Sequence, residues 1–180
     1  MSVEPIETKN LKLVPYSPQH ILAMIEGAEA YTRSFGLPPA DGLRDFYLSK
    51  DVSPQWLAQL RTTTEADIWR HGFGVVHVVS GQTIGAGGFK GPPDEDGATE
   101  IAYGIVPQYQ GRGYATEVAA ALVDFAVKSG RVRIACAHTL AQKNASTRVL
   151  TKCGFKFVGE VVDPEDGPVW RWEKLLQIAK

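Results

Sequence analysis

Between an apolar run and a stretch of helix formers the chain reads Gln108-Tyr109-Gln110-Gly111-Arg112-Gly113-Tyr114-Ala115-Thr116-Glu117. A turn leading from a strand into a helix leaves the first helical amides without acceptors, and the aligned peptide dipoles favour negative charge at that end. Gly111 and Gly113 remove the side chains that would hold a ligand away from those amides, and Arg112 adds a positive charge. A phosphate group suits such a turn; the same glycines also suit a tight bend that binds nothing. Two common phosphate loops fit poorly. A P-loop requires Lys-Ser or Lys-Thr after its last glycine, where Tyr114-Ala115 stand. A dinucleotide fingerprint requires Gly or Ala three residues past the second glycine, where Thr116 stands, and an acid near the end of the next strand, where His138 stands.

The elements that must position this loop follow from local pattern. Leu11-Lys12-Leu13-Val14 is a short strand ending at Pro15, and Ser17-Pro18 is an N-cap with a first-turn proline for a helix through Ile21, Leu22, Met24 and Ile25. Ser53-Pro54 repeats that signal before Trp56, Leu57 and Leu60. The connection around Tyr31 to Phe46 shows no strong period. From Phe73 the pattern becomes an antiparallel meander: strands over 73–79, 83–90 and 98–106, with turns at Ser80-Gly81 and Pro92 to Gly97. Alternation along the third strand puts Glu100 on one face with Ala102, Gly104 and Val106, and Ile101, Tyr103 and Ile105 on the other. Ala115, Val118, Ala119, Leu122, Phe125 and Ala126 recur at helical spacing up to Gly130, and Val132 to His138 is a strand. Strand, helix and strand over 98–138 make a βαβ unit with a right-handed crossover. Asn144 offers an N-cap to a short helix ending at Gly154, and a final hairpin pairs 155–162 with 169–175.

Together these give one α+β domain over residues 1–180, with a mixed, mostly antiparallel sheet flanked by helices. Nineteen Lys and Arg against 20 Asp and Glu leave no global positive field, so neither nucleic acid nor an anionic membrane is an expected partner. The first 30 residues hold Glu4, Glu7, His20 and Glu26 and no long apolar run, which argues for a cytoplasmic location. Cys136 and Cys153 lack the second pair that a four-thiolate zinc site needs and read as reduced core thiols, so no metal is expected. His77 and His138 lack metal-ligand spacing and read as packing or surface residues. Trp170-Arg171-Trp172 reads as sheet packing, and the acidic stretches 94–96 and 163–166 as solvated hairpin tips.

Gln108-Tyr109-Gln110-Gly111-Arg112-Gly113 resembles the pyrophosphate loop of the GNAT acyltransferases: Arg or Gln, two residues, Gly, one residue, Gly or Ala. Downstream, Asn144-Ala145-Ser146-Thr147-Arg148-Val149-Leu150-Thr151-Lys152-Cys153-Gly154-Phe155 resembles the late helix of the RimJ/RimL-like branch, although Asn144 stands two residues before Ser146 rather than three. The likeness extends through Gly159-Glu160 and Trp170 to Glu173, and back to Leu11-Lys12-Leu13.

This resemblance implies an acetyl-CoA-dependent N-acetyltransferase. It places the pyrophosphate on Gln110, Gly111, Arg112, Gly113, Tyr114 and Ala115, and runs the pantetheine arm beside the strand ending at Ile105-Val106. A backbone N–H near Ile105 or Val106 would polarise the thioester. It points to Ser146 as a hydroxyl assisting the departing thiolate, with Tyr103 and Tyr114 as alternatives, and to Asn144 as either a cofactor contact or a plain N-cap. Direct transfer needs a neutral amine, and Glu100, with small neighbours that leave room for a substrate, is the candidate proton acceptor, through a water. Trp56, Tyr31 and Phe35 either wall the acceptor pocket or pack the core. The acceptor is a small amine or a peptide N-terminus, and the enzyme a monomer or homodimer. A non-catalytic acyl-CoA-binding sensor of the same fold is the alternative.

Overall fold

The computed structural model describes residues 3–48 and 53–177. Along it run β1 (Ile6–Glu7), β2 (Leu11–Pro15), α1 (Pro18–Glu26), α2 (Ala28–Phe35), a 3-10 turn over Arg44–Tyr47, α3 (Pro54–Thr62), α4 (Ile68–His71), β3 (Phe73–His77), β4 (Gln82–Phe89), β5 (Ala98–Ile105), α5 (Tyr114–Ser129), β6 (Ile134–Leu140), α6 (Ala145–Lys152), β7 (Lys156–Asp163) and β8 (Gly167–Leu175). The strands form one sheet in the order β1-β2-β3-β4-β5-β6-β8-β7. Neighbours are antiparallel except β5 and β6, which α5 connects in parallel.

The helix-start signals act as expected. The Ser17 side chain accepts from the His20 amide while the Ser17 amide donates to His20 Nδ1, and the Ser53 side chain accepts from the Trp56 amide. The stretch read as an aperiodic connection holds the second half of α2. That helix is too short to show a period and too short to persist alone, so packing must supply its stability. Tyr31 is fully buried, lies stacked on Phe35 with ring centroids 5.0 Å apart, and donates its hydroxyl to Thr83 Oγ1 at 3.1 Å. Tyr31 and Phe35 are therefore core residues. Four-residue α4, capped by Asp67, and two-residue β1 are likewise below the reach of periodicity.

The sheet is packed on both faces. On one, α5 presses Val118 and Leu122 so close that a Cβ on Gly87 would stand 2.8 Å from Val118 Cγ1. On the other lie α1, α2 and the 3-10 turn, which brings the Phe46 ring to 3.3 Å from where a Cβ on Gly104 would be. Strand parity assigns Glu100, Ala102 and Gly104 to this second face, and the burial of Thr99, Ile101 and Ile105 confirms it.

Glu117 ties the first turn of α5 to the start of the chain. Its carboxylate accepts from Thr8 Oγ1, from the Asn10 amide at 2.7 Å and from Asn10 Nδ2 at 3.1 Å. Burial alone raises this carboxyl, but the hydrogen bonds from Thr8, Asn10 and the Leu11 amide outweigh it and hold the group below its ordinary 4.5. A depressed carboxylate stabilises the fold above its unfolded value and loses that contribution as pH falls through the folded one. Glu117→Gln is thus expected to cost about 1–2 kcal/mol at neutral pH, with the difference from wild type shrinking in strong acid. Thermal unfolding at both pH values checks this, and a pH-independent difference would contradict it.

Candidate active site

β5 and β6 begin as a parallel pair and then separate. Their register covers Ala98, Thr99 and Glu100 against Ile134, Ala135 and Cys136, after which β5 runs on to Ile105 and β6 to Leu140 with no further pairing. On its other side β5 stays paired with β4 to Ile105, and the Val106 amide donates to Ile84 O at 2.9 Å. In an antiparallel ladder successive residues alternate between facing the partner strand and facing away. The amides of Tyr103 and Ile105 therefore point into the gap. Of the two amides expected to meet a thioester, the one on Val106 is already bonded to Ile84 O and the one on Ile105 faces the gap.

Past the gap the chain turns through a second 3-10 segment, Pro107–Tyr109, into the glycine loop. Gly111 and Gly113 adopt left-handed φ of 77° and 83°, and neither would bring a Cβ within 4 Å of another group. Gly113 is the N-cap of α5 and offers no side chain, so no amide from Gly111 to Thr116 donates to an acceptor among the described residues. Free N–H groups at a helix start beside two uncrowded glycines suit a pyrophosphate. Gln110 serves the loop differently from its neighbours: its amide donates to Pro107 O, and its Nε2 reaches Ile105 O at 2.8 Å, fixing the loop to the strand end. The Arg112 guanidinium lies over the Tyr109 ring at 5.4 Å and remains exposed.

At the closed end of the gap stands Glu100. Its Oε1 lies 3.1 Å from Lys90 Nζ and 2.9 Å from His138 Nδ1. The Lys90 contact spans the β4–β5 ladder, where the Lys90 amide also donates to Glu100 O. The His138 contact crosses the gap, since His138 lies two residues beyond the last β5–β6 pair. His138 was expected to be a packing or surface residue; the structure instead makes it part of this cluster. Behind it, Cys136 is buried and Arg171 pairs with Glu173 at 3.1 Å.

Beside the cluster, a cleft of about 630 Å³ is floored by Ala86, Gly88, Ala102 and Gly104 and walled by Phe46, Tyr47, Arg70 and His71. A second cleft, of about 870 Å³, includes Trp56, Arg70, His71 and Lys90. Of the three aromatic residues considered for the acceptor pocket, Trp56 lines a cleft. His71 was not anticipated: its Nδ1 accepts from the Asp67 amide at 2.9 Å, and burial, chiefly, lowers its pKa, so Nε2 carries the proton of a neutral ring. Its four-residue helix gave no sequence signal.

On α6 the Asn144 side chain accepts from the Thr147 amide at 3.0 Å, so its oxygen serves as an N-cap. Ser146 is exposed, and its hydroxyl has no partner among the described residues. The alternative hydroxyls are less free. Tyr114 Oη meets His77 Nε2 at 3.1 Å, and Tyr103 points to the α5 side, where burial raises its pKa well above the usual range. Trp172 is buried and donates Nε1–H to Thr139 Oγ1, which makes it a packing residue as expected. No group of three or more possible metal ligands occurs among the described residues, nor is any described helix long and apolar enough to cross a membrane.

Parted parallel strands opening onto a glycine loop at a helix start, on a mixed sheet with helices on both faces, are the architecture expected of an acyl-CoA-dependent acyltransferase. The acetyltransferase (GNAT) domain model matches residues 10–156, and the chain belongs to that family. Acetyl-CoA is accordingly the acyl donor, and the free loop amides and the gap fit it. No curated protein matches by sequence. Among solved structures, RimL, the ribosomal L7/L12 alpha-N-protein acetyltransferase in complex with coenzyme A, is 16% identical with a TM-score of 0.67, over 96% of this chain and 98% of that one. The ribosomal-protein-S5-alanine acetyltransferase from Vibrio fischeri is 16% identical with a TM-score of 0.66, over 96% and 97%. Mycobacterium smegmatis RimJ, in complex with CoA-disulfide, is 18% identical with a TM-score of 0.61, over 92% and 81%.

Proposed function

We propose that this acetyltransferase transfers the acetyl group directly to a primary amine, with a protein N-terminus as the first acceptor to try and small amines as the second. The observation that carries this reading is the Glu100 cluster at the point where the strands part, beside an open cleft with a floor of small residues. An amine seated there would stand between a carboxylate and the expected path of the thioester. The names of the RimL and S5 neighbours support a protein N-terminus, and the Asn144 to Phe155 sequence supports the same branch.

In this reading the amides from Gly111 to Thr116 hold the pyrophosphate and the Ile105 N–H stabilises the developing oxyanion. Glu100 supplies the negative charge on which proton removal from the acceptor depends. Ser146 gives a hydrogen bond to the departing thiolate. Ser146→Ala is expected to slow single-turnover acetyl transfer by about tenfold without weakening acetyl-CoA binding; an unchanged rate would leave Ser146 as a surface residue of the first helical turn. The acceptor cleft is shaped by Phe46, Tyr47 and His71, which are therefore the positions where specificity is set.

The defining experiment is calorimetric titration with acetyl-CoA, followed by addition of peptides with free N-termini and polyamines under a thiol readout. Binding with thiol release is the expected result. Binding with no release from any amine would replace transfer by sensing, and absence of binding would refute the loop assignment.

A further inference from the structure

We propose that the proton leaving the acceptor amine goes to Nε2 of His138, with Glu100 acting as the positioning group that fixes and charges the imidazole; this rests on the acetyl-transfer reading above. A carboxylate can only accept a hydrogen bond, so the 2.9 Å contact between His138 Nδ1 and Glu100 Oε1 places a proton on Nδ1. In the neutral ring Nε2 then carries the lone pair, and it meets no partner among the described residues. Oε1 of Glu100 also receives the Lys90 ammonium at 3.1 Å, so that oxygen is occupied twice. The imidazole is the open end of the cluster.

Position supports the assignment. His138 lies on the stretch of β6 that has parted from β5, on the wall of the gap, and its side chain is 24% exposed: reachable by a substrate, yet largely withdrawn from water. Imidazole is also the side chain suited to exchange protons near neutral pH. Charged and titratable groups face it from each neighbouring strand. Glu100 faces it from β5 and Lys90 from the end of β4; Arg171 is its register partner on β8, with Glu173 beside that arginine; Cys136 precedes it on its own strand, and Asp163 at the end of β7 lies within electrostatic reach.

The step balances as follows. The ammonium form of the acceptor gives one proton to His138 Nε2. The freed nitrogen lone pair forms the C–N bond to the thioester carbon as the C–S bond breaks. The second nitrogen proton goes to the departing thiolate, and His138 returns its proton to solvent. The nitrogen enters as an ammonium and leaves as a neutral amide.

His138→Asn separates this role from a structural one, because the amide nitrogen can replace the Nδ1–H bond to Glu100 while nothing replaces Nε2. With a peptide bearing a free N-terminal serine, or with spermidine, His138→Asn is expected to lower kcat about 100- to 10,000-fold, with the acetyl-CoA Kd unchanged. The loss should be greatest near neutral pH and partly relieved in alkaline solution, where more of the amine is already neutral. Nitrogen-15 NMR of the wild-type imidazole should show the neutral tautomer protonated at Nδ1. Wild-type kcat in His138→Asn, or a neutral ring protonated at Nε2, would overturn the proposal; the first result would return the proton to the free Oε2 of Glu100. A wild type that binds acetyl-CoA but releases no thiol would refute acetyl transfer itself, and the relay with it.

Discussion

Gly113→Glu is expected to weaken acetyl-CoA binding by at least about 100-fold, or about 2.7 kcal/mol, while leaving the protein folded. Gly113 holds a φ of 83° at the N-cap of α5, and a Cβ there meets nothing within 4 Å. A side chain at this position therefore avoids the core and enters the space in front of the six free amides. Two effects follow, and both act on the ligand. The carboxylate fills the volume a pyrophosphate needs, and it places like charge against a group whose binding depends on the helix end and exposed N–H dipoles. Left-handed backbone at a non-glycine residue costs the fold about 1–2 kcal/mol, which Gly113→Ala isolates as a control without the charge. Calorimetry on both variants, with thermal unfolding to confirm folding, decides the point. Near wild-type affinity in Gly113→Glu would mean that the phosphates lie elsewhere.

That loop could be read in the sequence because everything about it is local. Two left-handed glycines, a proline-led 3-10 turn and a helix start lie within about ten residues, and the glycine conformations are set by that local sequence. The Ser17-Pro18 and Ser53-Pro54 helix starts were legible for the same reason, as was the face of Glu100, which depends only on strand parity. What could not be read depends on contacts between distant residues. α2 exists because Tyr31 is buried against Tyr16, Phe35 and Thr83. The final hairpin was visible, but not that β8 would insert between β6 and β7. His138 looked like an isolated strand histidine because its partner is 38 residues away, across the short parallel register that the βαβ unit creates. The Val106 amide looked available because its acceptor, Ile84 O, belongs to a strand whose register no local pattern fixes.

The cluster makes a second strong prediction, for Glu100→Gln. The substitution keeps shape and hydrogen-bonding capacity: the amide oxygen can still accept from His138 Nδ1, and the side chain stays on the same face of β5. What it removes is one negative charge from between the Lys90 ammonium and the His138 imidazole. Lys90 then faces the acceptor site unpaired, opposing both an incoming ammonium and an imidazolium formed beside it. In the proposed reading acetyl-CoA is held chiefly by the loop amides, which Glu100 does not touch, so its Kd should hold. The expected result is a fall in kcat of about 100-fold or more, greatest near neutral pH, where acceptor amines carry the proton that must be removed, and partly relieved in alkaline solution, where more of the amine is already neutral. Rates from pH 6 to 9.5 test this. A uniform loss at every pH would point to lost packing instead, and wild-type rates would remove Glu100 from the reaction. Pairing this profile with that of Lys90→Met adds a sign test: if the carboxylate acts through its charge, Lys90→Met leaves that charge less compensated and should not reproduce the loss, whereas damage to the β4–β5 pairing would slow both variants alike.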